Sequence, residues 1–246
     1  NVFGSESVRS KLITGIASNL SEKGYYGLDI DFEFINPSES VDYARLIENL
    51  TAELNPLGYE VFAALAPKTS DEQKGTLYEG HNYSLIGDAA DYVLLMTYEW
   101  GYTFGPPLAV APIQNVRRVV DYALTRISRR KIFLGIPTYG YDWPLPYEQG
   151  RTKAVSVSPN EALRLARQYG AEIFYDERSQ APYFRYTTPN GVAHEVWFED
   201  ARASLAKFAL AQENGLQGVG LWNLMRNAPQ TYLVLHGAFN IEKVSR

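Results

Sequence analysis

The chain has 246 residues, 46% hydrophobic and 21% charged, enough for a sizeable core, and a single α/β domain is the expectation. Its net charge of -5, with no face of clustered Lys and Arg interleaved with aromatics, argues against a nucleic-acid partner. Cysteine is absent, which excludes disulfides and thiolate metal sites, and no run approaches the roughly 20 apolar residues of a bilayer span, so no membrane partner is expected.

In chain order, apolar residues recur at helical spacing over 6–23 (Val8, Leu12, Ile13, Ile16, Leu20), and Gly24 stops the pattern. Residues 1–4 show neither the basic nor the apolar region of a signal peptide. A strand rich in β-branched and aromatic residues follows at 26–35, ended by Asn36-Pro37-Ser38, a turn that also offers a helix cap. The alternation then continues: a helix near 40–54, a strand at 60–66, a loop with a short helix, a strand at 92–98, and a helix near 113–127. A strand at 131–138, a helix near 199–213 and a strand at 218–224 complete it.

Strands alternating with helices imply a parallel sheet, and cores such as Tyr92-Val93-Leu94-Leu95-Met96 are apolar on both faces, as for strands between a barrel interior and a helix layer. Five units fit either a (β/α)8 barrel lacking its first strands or a complete doubly wound sheet. The second reading would call for a glycine-rich phosphate turn, and neither G-x-G-x-x-G nor G-x-x-x-x-G-K-[ST] occurs. Over 140–198 the rhythm breaks: Pro144, Pro146, a helix at 158–169, and alternating segments at Ile173-Phe174-Tyr175 and Tyr183-Phe184-Arg185-Tyr186 read as a small α+β insertion.

The strand Tyr26-Gly27-Leu28-Asp29-Ile30-Asp31-Phe32-Glu33 carries the chemistry. Side chains alternate in a strand, so Asp29, Asp31 and Glu33 share one face while Leu28, Ile30, Phe32 and Phe34 take the other. Three carboxyls this close repel, which holds one protonated at neutral pH, as a general acid needs to be. Glu33, nearest the carboxyl end of the strand, is the best placed donor. A hard-metal site of oxygens is the competing reading; His81, His194 and His236 are scattered and read as structural. Most of the 18 tyrosines read as packing, the remainder as the rings of a sugar-binding cleft.

This strand resembles the signature Asp-Gly-x-Asp-x-Asp-x-Glu of the family 18 glycoside hydrolases, chitinases and their relatives, with Tyr26 in place of the first Asp. Further segments agree in order: Ala63-Ala64-Leu65-Ala66-Pro67, Met96-Thr97-Tyr98-Glu99-Trp100, Gly135-Ile136-Pro137-Thr138-Tyr139-Gly140 and Gly218-Val219-Gly220-Leu221-Trp222 are similar to the family's fifth to eighth strands. Glu99 stands where chitinases usually have Asp. The segments 98–102, 137–143 and 196–200 resemble the spore-germination and cortex-lytic branch more than chitinases.

The resemblance implies a (β/α)8 barrel of which strands 4 to 8 are readable, with Asn1 and Val2 as a stub of the third. It also implies a partner segment supplying the first three strands, and attached cell-wall-binding domains of the kind such enzymes often carry. The activity implied is retaining, substrate-assisted hydrolysis of N-acetylglucosaminyl bonds in peptidoglycan or chitin, by an exported, cell-wall or spore-associated protein that needs no metal or organic cofactor. Glu33 would be the acid/base, Asp31 would hold the substrate acetamide, Asp29 would share a proton with Asp31, and Tyr98 would bond the acetamido oxygen. Trp222 would floor the reacting subsite, and Glu99, Tyr139 and Trp143 would wall the cleft. A catalytically silent sugar-binding protein on the same fold is the alternative, which the retained Glu33 disfavours.

Overall fold

A computed structural model describes residues 3–241; Asn1 and Val2, expected as a strand stub, lie outside the described residues. The elements are α1 (Glu6–Lys23), β1 (Gly27–Ile30), α2 (Ser40–Leu54), β2 (Glu60–Leu65), α3 (Tyr83–Ala89), β3 (Tyr92–Leu95), α4 (Ile113–Leu124) and β4 (Ile132–Pro137). They continue as β5 (Gly140–Pro144), β6 (Val155–Val157), α5 (Pro159–Tyr169), β7 (Phe174–Asp176), β8 (Ala181–Thr187), β9 (Ala193–Trp197), α6 (Ala201–Glu213), β10 (Gly218–Trp222) and α7 (Pro229–Ala238).

Short-range chemistry sets the helix ends. α1 stops at Gly24, whose φ of 65° is left-handed and suits glycine, and whose N–H donates to the carbonyls of Leu20 and Ser21. α5 starts in a capping box: the Ser158 side chain accepts from the Glu161 N–H and the Glu161 carboxylate accepts from the Ser158 N–H. α2 buries Tyr43, Ala44, Ile47, Leu50 and Leu54, and α4 buries Val116, Val119, Val120 and Ala123, the three-and-four spacing of one apolar stripe.

β1, β2, β3, β4 and β10 form one parallel sheet in that order, each strand beside its successor. A doubly wound sheet reverses its order at a switch point; this one does not, and that alternative falls. On the helix side Val61, Ala63, Leu65, Val93, Leu95, Ile132, Leu134 and Ile136 are fully buried in the main core. The other face is drier in composition than in surroundings: Phe62, Leu94 and Phe133 are half-buried, and the rings of Phe62, Tyr92 and Phe133 cluster with centroids 4.9 to 5.5 Å apart. β1 and β10 are the outer strands of this sheet.

The strands are shorter than the pattern suggested. β1 ends at Ile30 because its ladder with β2 covers only Gly27 to Ile30; residues 31–36 then run free of the sheet, with Phe34 at φ 56° and 65% exposed. Ile30 points into the core and Phe32 packs edge-on against Phe3 and Tyr43, as alternation requires, whereas Phe34 leaves the pattern. Residues 96–100 and 223–226 are likewise loops.

Residues 140–197 hold an antiparallel sheet of order β6-β5-β9-β8-β7, with α5 packed on one face through Ala162 and Ala166 against Val157, Phe184, Val196 and Phe198. Of its strands, β5, β6 and β9 carry no sequence signal read above. α6 is fastened to the end of this region by a fully buried ion pair, Lys207 Nζ to Glu199 Oε2 at 2.7 Å. Removing either partner alone would strand a charge in the core, at a cost of about 3–5 kcal/mol.

Candidate active site

At the carboxyl ends of the parallel strands lies a cavity of about 300 Å³. Asp31 and Glu33 enter it from the segment after β1, and Met96, Tyr98 and Glu99 from the loop after β3. Tyr139 comes from the turn between β4 and β5, Tyr141 from β5, and Ser156 from β6. Trp222, Asn223 and Arg226 close it from the end of β10. Six of the eight expected site residues thus meet in one place.

The remaining two do not line it. Asp29 sits one step back along β1, where Asp31 and partial withdrawal from water both act on it: the withdrawal first, then the Asp31 charge, raise its carboxyl above the ordinary value. Trp143, expected as a cleft wall, is fully buried in the cluster of Ala109, Val110, Tyr139 and Tyr141, and its indole N–H donates to the Gly105 carbonyl at 2.7 Å. An indole on a strand covered by the 101–112 loop finds its polar partner there, so this expectation is corrected.

The acidic wall is held by backbone and ring contacts rather than by pairing. The Phe32 carbonyl, between Asp31 and Glu33, accepts from His81 Nε2 at 3.0 Å, while His81 Nδ1 accepts from the Ala66 N–H at 2.9 Å. Both ring nitrogens are engaged, and burial lowers the imidazole pKa, so this ring is a neutral brace between the end of β2 and the carboxylate segment. Glu33 is raised above the ordinary carboxylate value, first by partial withdrawal from water and then by the charges of Asp31 and Glu99. That is the shift a proton donor at neutral pH requires.

Tyr98 stands at the meeting point. Burial first, then the charges of Asp31, Asp29, Glu33 and Glu99, keep its hydroxyl protonated far above neutrality, so it donates hydrogen bonds throughout the useful pH range. Space for its ring is made by Gly135: a Cβ there would lie 2.9 Å from Tyr98 Cε1 and 2.3 Å from the Leu95 carbonyl oxygen. Any side chain at 135 would collide with this ring and with the β3 backbone.

Glu99 is clamped. Its φ of 68° is unusual for a residue with a side chain, and its carboxylate accepts from the Tyr139 hydroxyl at 2.6 Å and from the Tyr141 hydroxyl at 3.0 and 3.1 Å. Burial first, then the Glu99 charge, push the Tyr141 hydroxyl up to about 12 and raise Tyr139 further in the same direction. Opposite, the Thr138 N–H and hydroxyl donate to the carbonyls of Trp222 and Asn223 at 2.9 and 2.7 Å, which fixes the end of β10, and Trp222 keeps 47% of its surface exposed on the cavity.

Met96, Tyr141, Ser156, Asn223 and Arg226 were not expected in the site. Tyr141 had a readable signal, since it follows Tyr139 at strand spacing. Ser156 and Arg226 had none, because a short strand and a loop bring them in from afar. Among the described residues no three His, Asp or Glu side chains are grouped so as to hold a metal ion.

Comparison with known proteins follows the same lines. The family model described as Glycosyl hydrolases family 18 matches residues 1–227. The chain is 44% identical over 242 residues to the cortical fragment-lytic enzyme of Bacillus subtilis (strain 168), covering 98% of this chain and 56% of that relative. It superposes on the crystal structure of the Bacillus cereus spore cortex-lytic enzyme SleL with a TM-score of 0.96 and 40% identity, over 100% of this chain and 56% of that one. A chitinase from Chromobacterium violaceum ATCC 12472 is similar at TM-score 0.87 and 25% identity, over 96% of this chain and 73% of that one. The chain therefore spans little more than half the length of the cortex-lytic relatives it matches.

Proposed function

The chain belongs to family 18 of the glycosyl hydrolases, and from that premise we propose that its cavity hydrolyses N-acetylglucosaminyl β-glycosidic bonds, with spore-cortex peptidoglycan as the polymer. The observation that carries this reading is the convergence of Asp31, Glu33 and Tyr98 in one cavity, with Glu33 raised first by withdrawal from water and then by its acidic neighbours. The similarity to cortex-lytic relatives supports the choice of polymer. On this reading β1, β2, β3, β4 and β10 are strands four to eight of the family's eight-stranded barrel, residues 140–198 are the insertion that walls its cleft, and the protein works outside the cell at the wall or spore.

The mechanism proposed is substrate-assisted and retaining. Glu33 gives its proton to the glycosidic oxygen while the acetamido oxygen of the sugar on the non-reducing side attacks the anomeric carbon. The bond to the leaving sugar breaks and a bicyclic oxazolinium ion forms. Asp31 accepts the acetamide N–H, keeps its oxygen in line and offsets the positive charge as it develops. Asp29, raised first by withdrawal from water and then by the Asp31 charge, is the carboxyl that would carry a proton beside Asp31. Tyr98 donates to the acetamido oxygen, and Trp222 supplies the apolar floor. Glu33, now ionised, takes a proton from water as the water opens the ring, and the anomeric configuration is retained.

The test is release of new reducing N-acetylglucosamine ends from spore-cortex fragments and from chitin oligomers, with Glu33→Gln as the control. Release from cortex that disappears in the variant is the expected result. Release from chitin alone would replace the polymer, and saccharide binding without release by the unaltered protein would replace the enzyme with a sugar-binding protein.

A further inference from the structure

Three of the residues lining the cavity are carboxylates, Asp31, Glu33 and Glu99, and one is a cation, Arg226. A guanidinium in an acidic cavity would ordinarily pair with those acids. Arg226 does not: the groups acting on Glu33 are Asp31 and Glu99, which raise it, with no cation among them. Arg226 instead lies across the cavity, beside Tyr141, where its charge partly opposes the rise of the Tyr141 hydroxyl.

Its position is built. The Arg226 N–H donates to the Asn223 carbonyl at 3.3 Å, which closes a turn in the loop after β10. Its Nη2 donates to Ser156 Oγ at 3.2 Å, reaching from that loop to β6. Glu161, which also feels this charge, has a carboxylate already engaged in the capping box of α5. A planar guanidinium has five N–H donors, and one bond to a serine hydroxyl leaves most of them for a ligand in the cavity that Arg226 lines.

The chemistry that a guanidinium selects is a carboxylate. A polymer of N-acetylglucosamine alone offers none. Peptidoglycan does wherever its alternate sugar keeps a free lactyl carboxyl or carries a single amino acid with its own; a unit whose lactyl carboxyl is closed into a lactam offers none. Resting on the glycosidase reading above, we propose that Arg226 is a specificity-determining residue that binds a carboxylate of the muramic sugar adjoining the cleaved bond. The carboxylate wall does the chemistry, and Arg226 distinguishes an anionic glycan from a neutral one.

The experiment compares kcat/KM of the unaltered protein, Arg226→Gln and Arg226→Lys on three tetrasaccharides: chitotetraose, an alternating glucosaminyl–muramyl tetramer with free lactyl carboxylates, and the same tetramer capped with L-alanine. In Arg226→Gln the ratio of kcat/KM on a carboxylated tetramer to that on chitotetraose falls about 10-fold, mainly through KM, the size of one charged hydrogen-bonding contact. Arg226→Lys recovers part of it. The tetramer showing the larger fall identifies whether the lactyl or the alanyl carboxylate is bound. An unchanged ratio, whatever the absolute loss, would overturn the assignment and leave Arg226 as a tie between the loop and β6. Were no tetramer cleaved by the unaltered protein, the glycosidase reading would fail by itself, and the same ratio taken from calorimetric Kd values would still decide for or against Arg226.

Discussion

The two walls of the cavity are made differently. The acidic wall comes from Asp31 and Glu33 of one segment, joined by Tyr98 and Glu99 from the loop after β3. The facing wall is assembled from the turn into β5, the short strand β6, the end of β10 and the loop beyond it, with Tyr141, Ser156, Trp222 and Arg226 contributed separately. The difference teaches a division of labour. On the proposed reading, groups that act on one bond are fixed together on one braced segment, whereas groups that meet the rest of a polymer are spread over elements that can vary independently.

If that division holds, changes in the acidic wall strike turnover and changes in the facing wall strike affinity. The largest effect expected is for Asp31→Asn, which keeps the shape and removes the charge opposite the developing cation: kcat should fall by roughly 10² to 10³-fold with KM altered far less. Steady-state kinetics on a chito-oligosaccharide check this, and a loss carried by KM would erase the distinction between the walls. Next is Trp222→Ala. Removing an indole that offers an apolar platform to the sugar should raise KM by about 10-fold, close to 1.4 kcal/mol, with the smaller change in kcat.

A finer effect concerns pH and links the two walls, because Glu99 is held by Tyr139 and Tyr141 yet acts on Glu33. Glu33 works protonated, and its raised pKa extends that form upward in pH; the rate falls as pH rises through it. Glu99→Gln removes one of the anions that raise Glu33. The alkaline limb of the pH–rate profile should therefore move to lower pH, and a limb that stays in place or moves upward would show that Glu99 does not reach Glu33.

The acidic wall was legible because its residues follow one another at a period that backbone geometry imposes, even though β1 itself ends at Ile30 and the last carboxyl lies beyond the ladder. The parallel sheet was legible for a similar reason: each strand is a compact apolar run, and α2 and α4 carry clear apolar stripes. Periodicity could not say where pairing stops, and so Phe34 was assigned to a face that its positive φ abandons. It also could not tell which of two aromatics near β5 would face the cavity. Tyr141 does, with its hydroxyl on Glu99, while Trp143 two positions on is claimed by the Gly105 carbonyl under a loop. Arg226 and Ser156 are 70 positions apart, and only the folded loop after β10 brings them together.

The central claim is that Glu33 is the proton donor to the departing sugar, and the nature of the leaving group tests it most directly. Glu33→Gln should be compared with the unaltered protein on two chitobiosides, one with a 2,4-dinitrophenyl leaving group that departs without protonation and one with a methyl leaving group that cannot. The account predicts that kcat/KM of the variant, which reports the bond-breaking step, falls by about 10² to 10⁴-fold on the methyl glycoside and stays close to that of the unaltered protein on the dinitrophenyl one, whose turnover is then limited by the water step that Glu33 also serves. Equal losses on the two substrates would contradict it and would place the proton on another residue.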